Sequence, residues 1–168
     1  YGAGSGTQTG ALAIGTAGPP IAGIVESWDG TSWTEVNDLN TGRDFNVACG
    51  TVTASITFQG ESTPGPNTVN VEVWDGTNWT EVGNLNTARN AGGGAGISTA
   101  AITFAGTGLS AATESWNGTS WTEVNDMATA RNRVAGGGST SGSTSALAIG
   151  GQSPPIIGNV EEFTASAV

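Results

Sequence analysis

One short unit, written out several times, constrains this chain more than any other feature. Glu26–Val36 (ESWDGTSWTEV) returns as Glu72–Val82 (EVWDGTNWTEV) and again as Glu114–Val124 (ESWNGTSWTEV). Each copy is followed by an arginine, at Arg43, Arg89 and Arg131. A fourth, decayed copy, Val160-Glu161-Glu162-Phe163, keeps the acid and one aromatic but lacks the second Trp. The copies stand roughly 42 to 47 residues apart, a spacing typical of repeat architectures. Such a chain folds as a row of like units, each covering an apolar face of the next.

Four strands can be drawn within each period. The first is small and Gly-rich, as in Phe45–Gly50. The second is an apolar run: Ala11–Ile14, Ala54–Phe58, Ala100–Phe104 and Ala146–Ile149. The third carries the Glu-x-Trp, and the fourth is Trp-Thr-Glu-Val. Between third and fourth lies Asp-Gly-Thr or Asn-Gly-Thr, where Gly supplies a positive φ and Asp or Asn tolerates one, a strong hairpin signal. Helical periodicity is absent, and abundant Gly and Thr suppress helix further. Low charge and 28 Gly would suit a disordered chain, but six Trp and regularly placed Val and Ile need a core.

Four antiparallel strands per period make one propeller blade. The expected fold is therefore all-β, a single β-propeller over residues 1–168 with about four blades of four strands. The blades fall roughly at 1–43, 44–89, 90–131 and 132–168. The triplets Gly92-Gly93-Gly94 and Gly136-Gly137-Gly138 would let innermost strands converge on a narrow axis; a flexible loop is the alternative. Trp28, Trp33, Trp74, Trp79, Trp116 and Trp121 are expected in the core between blades. Arg43, Arg89 and Arg131 are expected to brace the junctions by bidentate pairing with the recurring third-strand Glu. Tyr1 in place of a start Met reads as a processed or excised piece of something longer.

The order of these signals resembles the kelch repeat, an apolar strand ending in Gly-Gly, then Glu and an aromatic, a turn, a Trp and a later Arg. Leu147-Ala148-Ile149-Gly150-Gly151 carries the glycine doublet, and Trp28 to Trp33 the aromatic–turn–Trp unit. Trp or Phe stands where kelch repeats usually have Tyr, and three copies keep only one Gly after the apolar strand. A closer resemblance is to the Trp-Asp-Gly-Thr-x-Trp repeat arrays of marine bacteriophages, especially phages of cyanobacteria. The run Glu114–Asp126 followed by Ala130-Arg131 is similar to them almost letter for letter. That resemblance implies a virion or extracellular location in a tail or capsid fibre. It also implies partners among other virion proteins or copies of the same chain, and a host-surface protein or glycan as target.

Chemistry is limited by what is missing. Without His there is no imidazole base and no Ser-His-Asp or Cys-His arrangement. One cysteine and no His leave no zinc set and no copper centre of the kelch-type galactose oxidase kind. The four basic residues are all Arg, so there is no Schiff-base or phosphate-loop Lys. The expectation is no enzyme, no cofactor and no metal. Paired carboxylates would still allow a glycoside hydrolase, but Glu26, Glu72 and Glu114, or Glu35, Glu81 and Glu123, recur by repeat, as framework residues do. A net charge of −10 disfavours nucleic acid and anionic lipid, and no apolar run is long enough to insert in a membrane. Cys49 reads as a buried structural thiol. Asn78 and Asn117 match a glycosylation sequon, but both fall at the repeated hairpin turn.

Comparing the copies with one another separates frame from variable parts. The third-to-fourth turn barely changes, whereas the second-to-third loops differ in length and content and share one propeller face. A binding surface is expected there, from Pro19, Pro20, Ile21, Glu61, Pro64, Leu109, Pro154, Pro155, Ile156 and Ile157. Pro and Ile simply covering the barrel end is the plainer alternative. A lectin-like, sugar-stacking use of exposed Trp faces is the other, and an arc closed by several chains sharing one ring is a further option.

Overall fold

The computed structural model describes residues 2–15, 22–62, 65–138 and 145–164. They form an all-β molecule of four antiparallel sheets arranged as a four-bladed β-propeller. Blade 1 is β1 (Ala3–Thr7), β2 (Gly10–Ile14), β3 (Val25–Trp28) and β4 (Trp33–Val36). Blade 2 is β5 (Val47–Thr51), β6 (Ala54–Phe58), β7 (Val71–Trp74) and β8 (Trp79–Glu81). Blade 3 is β9 (Gly93–Ile97), β10 (Ala100–Phe104), β11 (Thr113–Trp116) and β12 (Trp121–Val124). Blade 4 holds β13 (Ala135–Gly138), β14 (Ser145–Ile149) and β15 (Val160–Thr164).

Every sheet is a meander in chain order. The hairpin between third and fourth strands places the two Trp of each unit opposite one another: Trp28 with Trp33, Trp74 with Trp79, Trp116 with Trp121. The turn closes on itself because Asp29 Oδ1 accepts from the backbone N–H groups of Thr31 and Ser32 at 2.8 and 2.9 Å. Gly30, Gly76 and Gly118 take φ of 95°, 98° and 92° there, which Cβ-bearing residues avoid. Trp28, Trp74 and Trp116 then donate their indole N–H to Gln8, Val52 and Ser98, tying each hairpin to the turn between strands one and two.

Fourfold repetition of four strands was expected; blade 4 shows three among the described residues. Its third strand carries Phe163 where the others carry the first Trp, as pairing with Ala146 in the place of Trp28 with Ala11 shows. No second Trp follows it.

The core is three separate junctions between successive blades. Leu12, Ile14 and Val25 of blade 1 pack on Trp74 and Trp79 of blade 2. Ile56, Phe58 and Val71 of blade 2 pack on Trp116 and Trp121 of blade 3. Ile102 and Phe104 of blade 3 pack on Val134, Ala146, Ala148 and Phe163. The innermost strands follow the same order, β5 on β1, β9 on β5 and β13 on β9, but β13 and β1 do not pack on each other in this way. The Gly-rich triplets belong to these inner strands. A methyl at Gly136 would collide with the Gly94 backbone, so bare backbone is what lets β13 and β9 approach.

A chain of backbone bonds runs around the axis at the entry to each inner strand. Ala91 N–H donates to Phe45 O at 3.1 Å, and Arg133 N–H donates to Ala91 O at 2.6 Å. Phe45, Ala91 and Arg133 hold φ of 50°, 52° and 52°, the left-handed conformation in which the Ala91 and Arg133 N–H groups meet the preceding blade.

Candidate functional site

The recurring polar residues are built into the junctions. Arg43 lies on the link between β4 and β5 and donates through Nη2 to Glu72 of β7, both side chains fully buried. Its Nη1 goes to Asn70 O at 2.5 Å and its Nε to Thr41 O at 3.2 Å. The second Glu72 oxygen accepts from the backbone and side-chain N–H of Asn40, at 2.8 and 3.0 Å. Arg89, Glu114 and Asn86 repeat the arrangement one blade on. The guanidinium thus spends one nitrogen on the carboxylate and the others on carbonyls, instead of the two-pronged pairing expected. The carboxylate's second oxygen is already taken by the Asn from the preceding link. Burial pulls the pKa of Arg43 and Arg89 below the ordinary value, against the opposing pull of Glu72 and Glu114.

The pattern loosens toward the chain's end. Arg131 pairs with Glu161 at 2.9 Å, but that carboxylate is 22% exposed. Ala128 replaces the Asn, leaving only its backbone N–H for Glu161. Cys49 packs against the junction between blades 2 and 3, where desolvation pushes its thiol up to about 12.

The Trp residues divide in two. Trp74, Trp79, Trp116 and Trp121 are buried between blades, whereas Trp33 is 49% exposed and Trp28 half-buried. Among the described residues, no blade packs on the Trp face of blade 1 as blades 1 and 2 pack on those of blades 2 and 3.

On the loop face, Pro19, Pro20, Ile21 and Pro64 lie outside the described residues. Glu61 is engaged: its backbone pairs with Asp44 and its carboxylate accepts from Asn90 at 3.1 Å, so it stitches one loop to the next blade's entry. Leu109 is half-buried, in a left-handed turn with φ of 60°. Pro154, Pro155 and Ile156 are exposed, Ile156 at 81%, and Ile157 is half-buried.

Ile156 borders a shallow hollow with Arg133, Gly151 and Gln152. Arg133 also borders a second hollow of about 370 Å³ at the axis, walled by Gly2, Phe45, Asn46, Ala91 and Gly92. Arg133 is exposed, and its guanidinium makes no ion pair among the described residues, unlike the other three arginines. Sequence reasoning missed this axial trio. The available signal was the residue after a fixed Asp or Asn, which changes from blade to blade: Asp44-Phe45, Asn90-Ala91, Asn132-Arg133.

A third cavity of about 170 Å³ opens between blades 3 and 4, lined by Phe104, Met127, Ala146, Ala148 and Phe163 among others. In the preceding junction the corresponding space holds Trp121, edge-on to Phe58 at 5.1 Å.

No protein-family model matches the chain, and no curated protein is similar enough to register as a relative.

Proposed function

We propose that this chain is a non-catalytic module of a virion appendage, a tail or capsid fibre, that assembles with other virion proteins or copies of itself and offers its loop face to a host surface. One observation carries the reading: the third-strand Glu and the link Arg of blades 2 and 3 are consumed in the frame, while residues at positions that vary between copies border two hollows that share Arg133. Glu72, Glu114 and Arg43 are buried in junction contacts, whereas Ile156 and Arg133 stand exposed around hollows at the loop end. Apolar and cationic groups held on short, stiff connections suit protein or glycan contact at little ordering cost. The virion assignment rests on the likeness of Glu114–Asp126 to phage repeat arrays, which is an analogy of sequence.

Antibody raised against the chain should decorate a fibre in micrographs of the virus that encodes it. Labelled protein should bind host cells, and Ile156→Asp with Arg133→Glu should lower that binding at least tenfold. Unlabelled fibres together with undiminished binding by the double variant would reject the reading.

A second reading, carbohydrate binding, is favoured by Trp33, whose exposed ring borders a hollow made by Ala3–Thr7 and Ala11, Leu12 and Ala13. Glycan-array binding lost on Trp33→Ala but kept by the loop variants would select it.

A further inference from the structure

The filled junctions share one recipe, which shows what the two ends of the row lack. The second strand contributes a pair of apolar residues two positions apart: Leu12 and Ile14, Ile56 and Phe58, Ile102 and Phe104, all at most 2% exposed. The third strand adds Val25 or Val71, fully buried opposite the second of each pair. In the first two junctions the following blade answers with its Trp pair and with a Glu that receives the preceding link's Arg and Asn.

Blade 4 carries the same apolar set at the same register, Leu147, Ile149 and Val160, with Ile149 opposite Val160. Here they are 38%, 41% and 57% exposed. Blade 1 carries the answering set, Trp28, Trp33 and Glu26. Trp33 is 49% exposed against 6% for Trp79 and 5% for Trp121. Glu26 is exposed, while Glu72 and Glu114 are fully buried. Beside Trp33 the small residues of β1 leave a hollow of about 350 Å³, on the face that a preceding blade would cover.

The back of blade 4 is therefore one half of an established junction, and the front of blade 1 is the other half. We propose that a second copy of this chain docks back to front, its Leu147, Ile149 and Val160 covering Trp28 and Trp33 of the first. This deepens the assembly part of the reading above and rests on it. The contact is heterologous, so it either closes a ring or propagates. A pair of copies is the smallest assembly this contact makes, and it is the one to test.

The test is the solution mass of the full chain over a concentration series, beside Trp33→Asp and Val160→Asp. Both substitutions fall on exposed positions, so unchanged circular dichroism is expected; if either unfolds, Ser at the same position replaces it. The wild type should run at twice the 16.6 kDa chain mass. Each variant alone should be monomeric, since every contact it can make includes a broken face. Mixing the two in equal amounts should restore association, because the intact back of one meets the intact front of the other. A monomeric wild type, unaltered association of either variant, or a mixture that stays monomeric overturns the proposal. A monomer that still labels virions and binds host cells overturns the docking alone; a dimer that does neither overturns the functional reading alone.

Discussion

The junction between blades 2 and 3 and the open seam between blades 4 and 1 are made from matching positions, yet their surroundings are opposite. In the first, Ile56, Phe58 and Val71 are closed off by Trp116 and Trp121, and Glu114 is sealed in with Arg89. At the seam, Leu147, Ile149 and Val160 on one side and Trp33 and Glu26 on the other stand in water. A repeat unit specifies what its two faces want, but burial is a property of the pair. The free energy of a repeat array sits largely in its interfaces for this reason.

Matched substitutions across the two places break or sharpen that contrast. Trp121→Ala should cost about 3 to 5 kcal/mol, because it removes a buried ring and leaves a cavity beside Phe58. Trp33→Ala, in dilute protein, should cost about 1 kcal/mol or less, half of that ring being in water already. Urea denaturation gives both numbers, and equal losses would erase the distinction. Glu114→Gln should follow closely at about 3 to 5 kcal/mol, since it strands the Arg89 charge in the interior. Its counterpart Glu26→Gln should stay within about 0.5 kcal/mol of wild type.

Smaller effects are expected from backbone and turns. Gly136→Ala should cost about 1 to 3 kcal/mol, as β13 must back away from Gly94. Gly4→Ala, whose methyl would sit 3.4 Å from Leu12 O, should leave the melting temperature near wild type. The smallest difference lies between the hairpin turns. Backbone N–H groups of Ser32 and Thr31, and of Asn78 and Thr77, hold the Asp29 and Asp75 carboxyls below the ordinary 3.8. A carboxyl lowered by folding stabilises above its unfolded pKa, and that contribution fades as pH falls through the folded value. NMR titration should show both turns loosening below 3.8, while the blade 3 turn, where Asn117 Oδ1 accepts the same two bonds, stays unchanged.

Much of the fold was legible because the repeat ties each signal to a fixed place. The second strand of blade 2 falls at Ala54–Phe58 as the apolar run requires, and the Asp-Gly-Thr turns sit where Gly must take positive φ. The link from the recurring Arg to the recurring Glu was also readable, though not its geometry, which depends on the competing Asn40 and Asn86 donors. What stayed hidden depends on angles summed over the ring. Whether β1 meets β13 is set by the tilt between blades, hence by side-chain volumes in every junction, and no single copy records it. The left-handed Phe45, Ala91 and Arg133 were hidden for another reason: none is a residue type that favours that conformation. The circumferential bonds to the neighbouring blade hold them there. On the loop face Ile156 is exposed, whereas the Glu61 carboxylate ties its loop to the next blade's entry.

Hydroxyl-radical footprinting of individual tryptophans, in protein dilute enough to be monomeric, reads the contrast between junction and seam most directly. Trp33 should oxidise several times faster than Trp79 and Trp121, which occupy the same position in the unit. Equal rates for all three would mean that the first blade is covered like the others and that the seam does not exist.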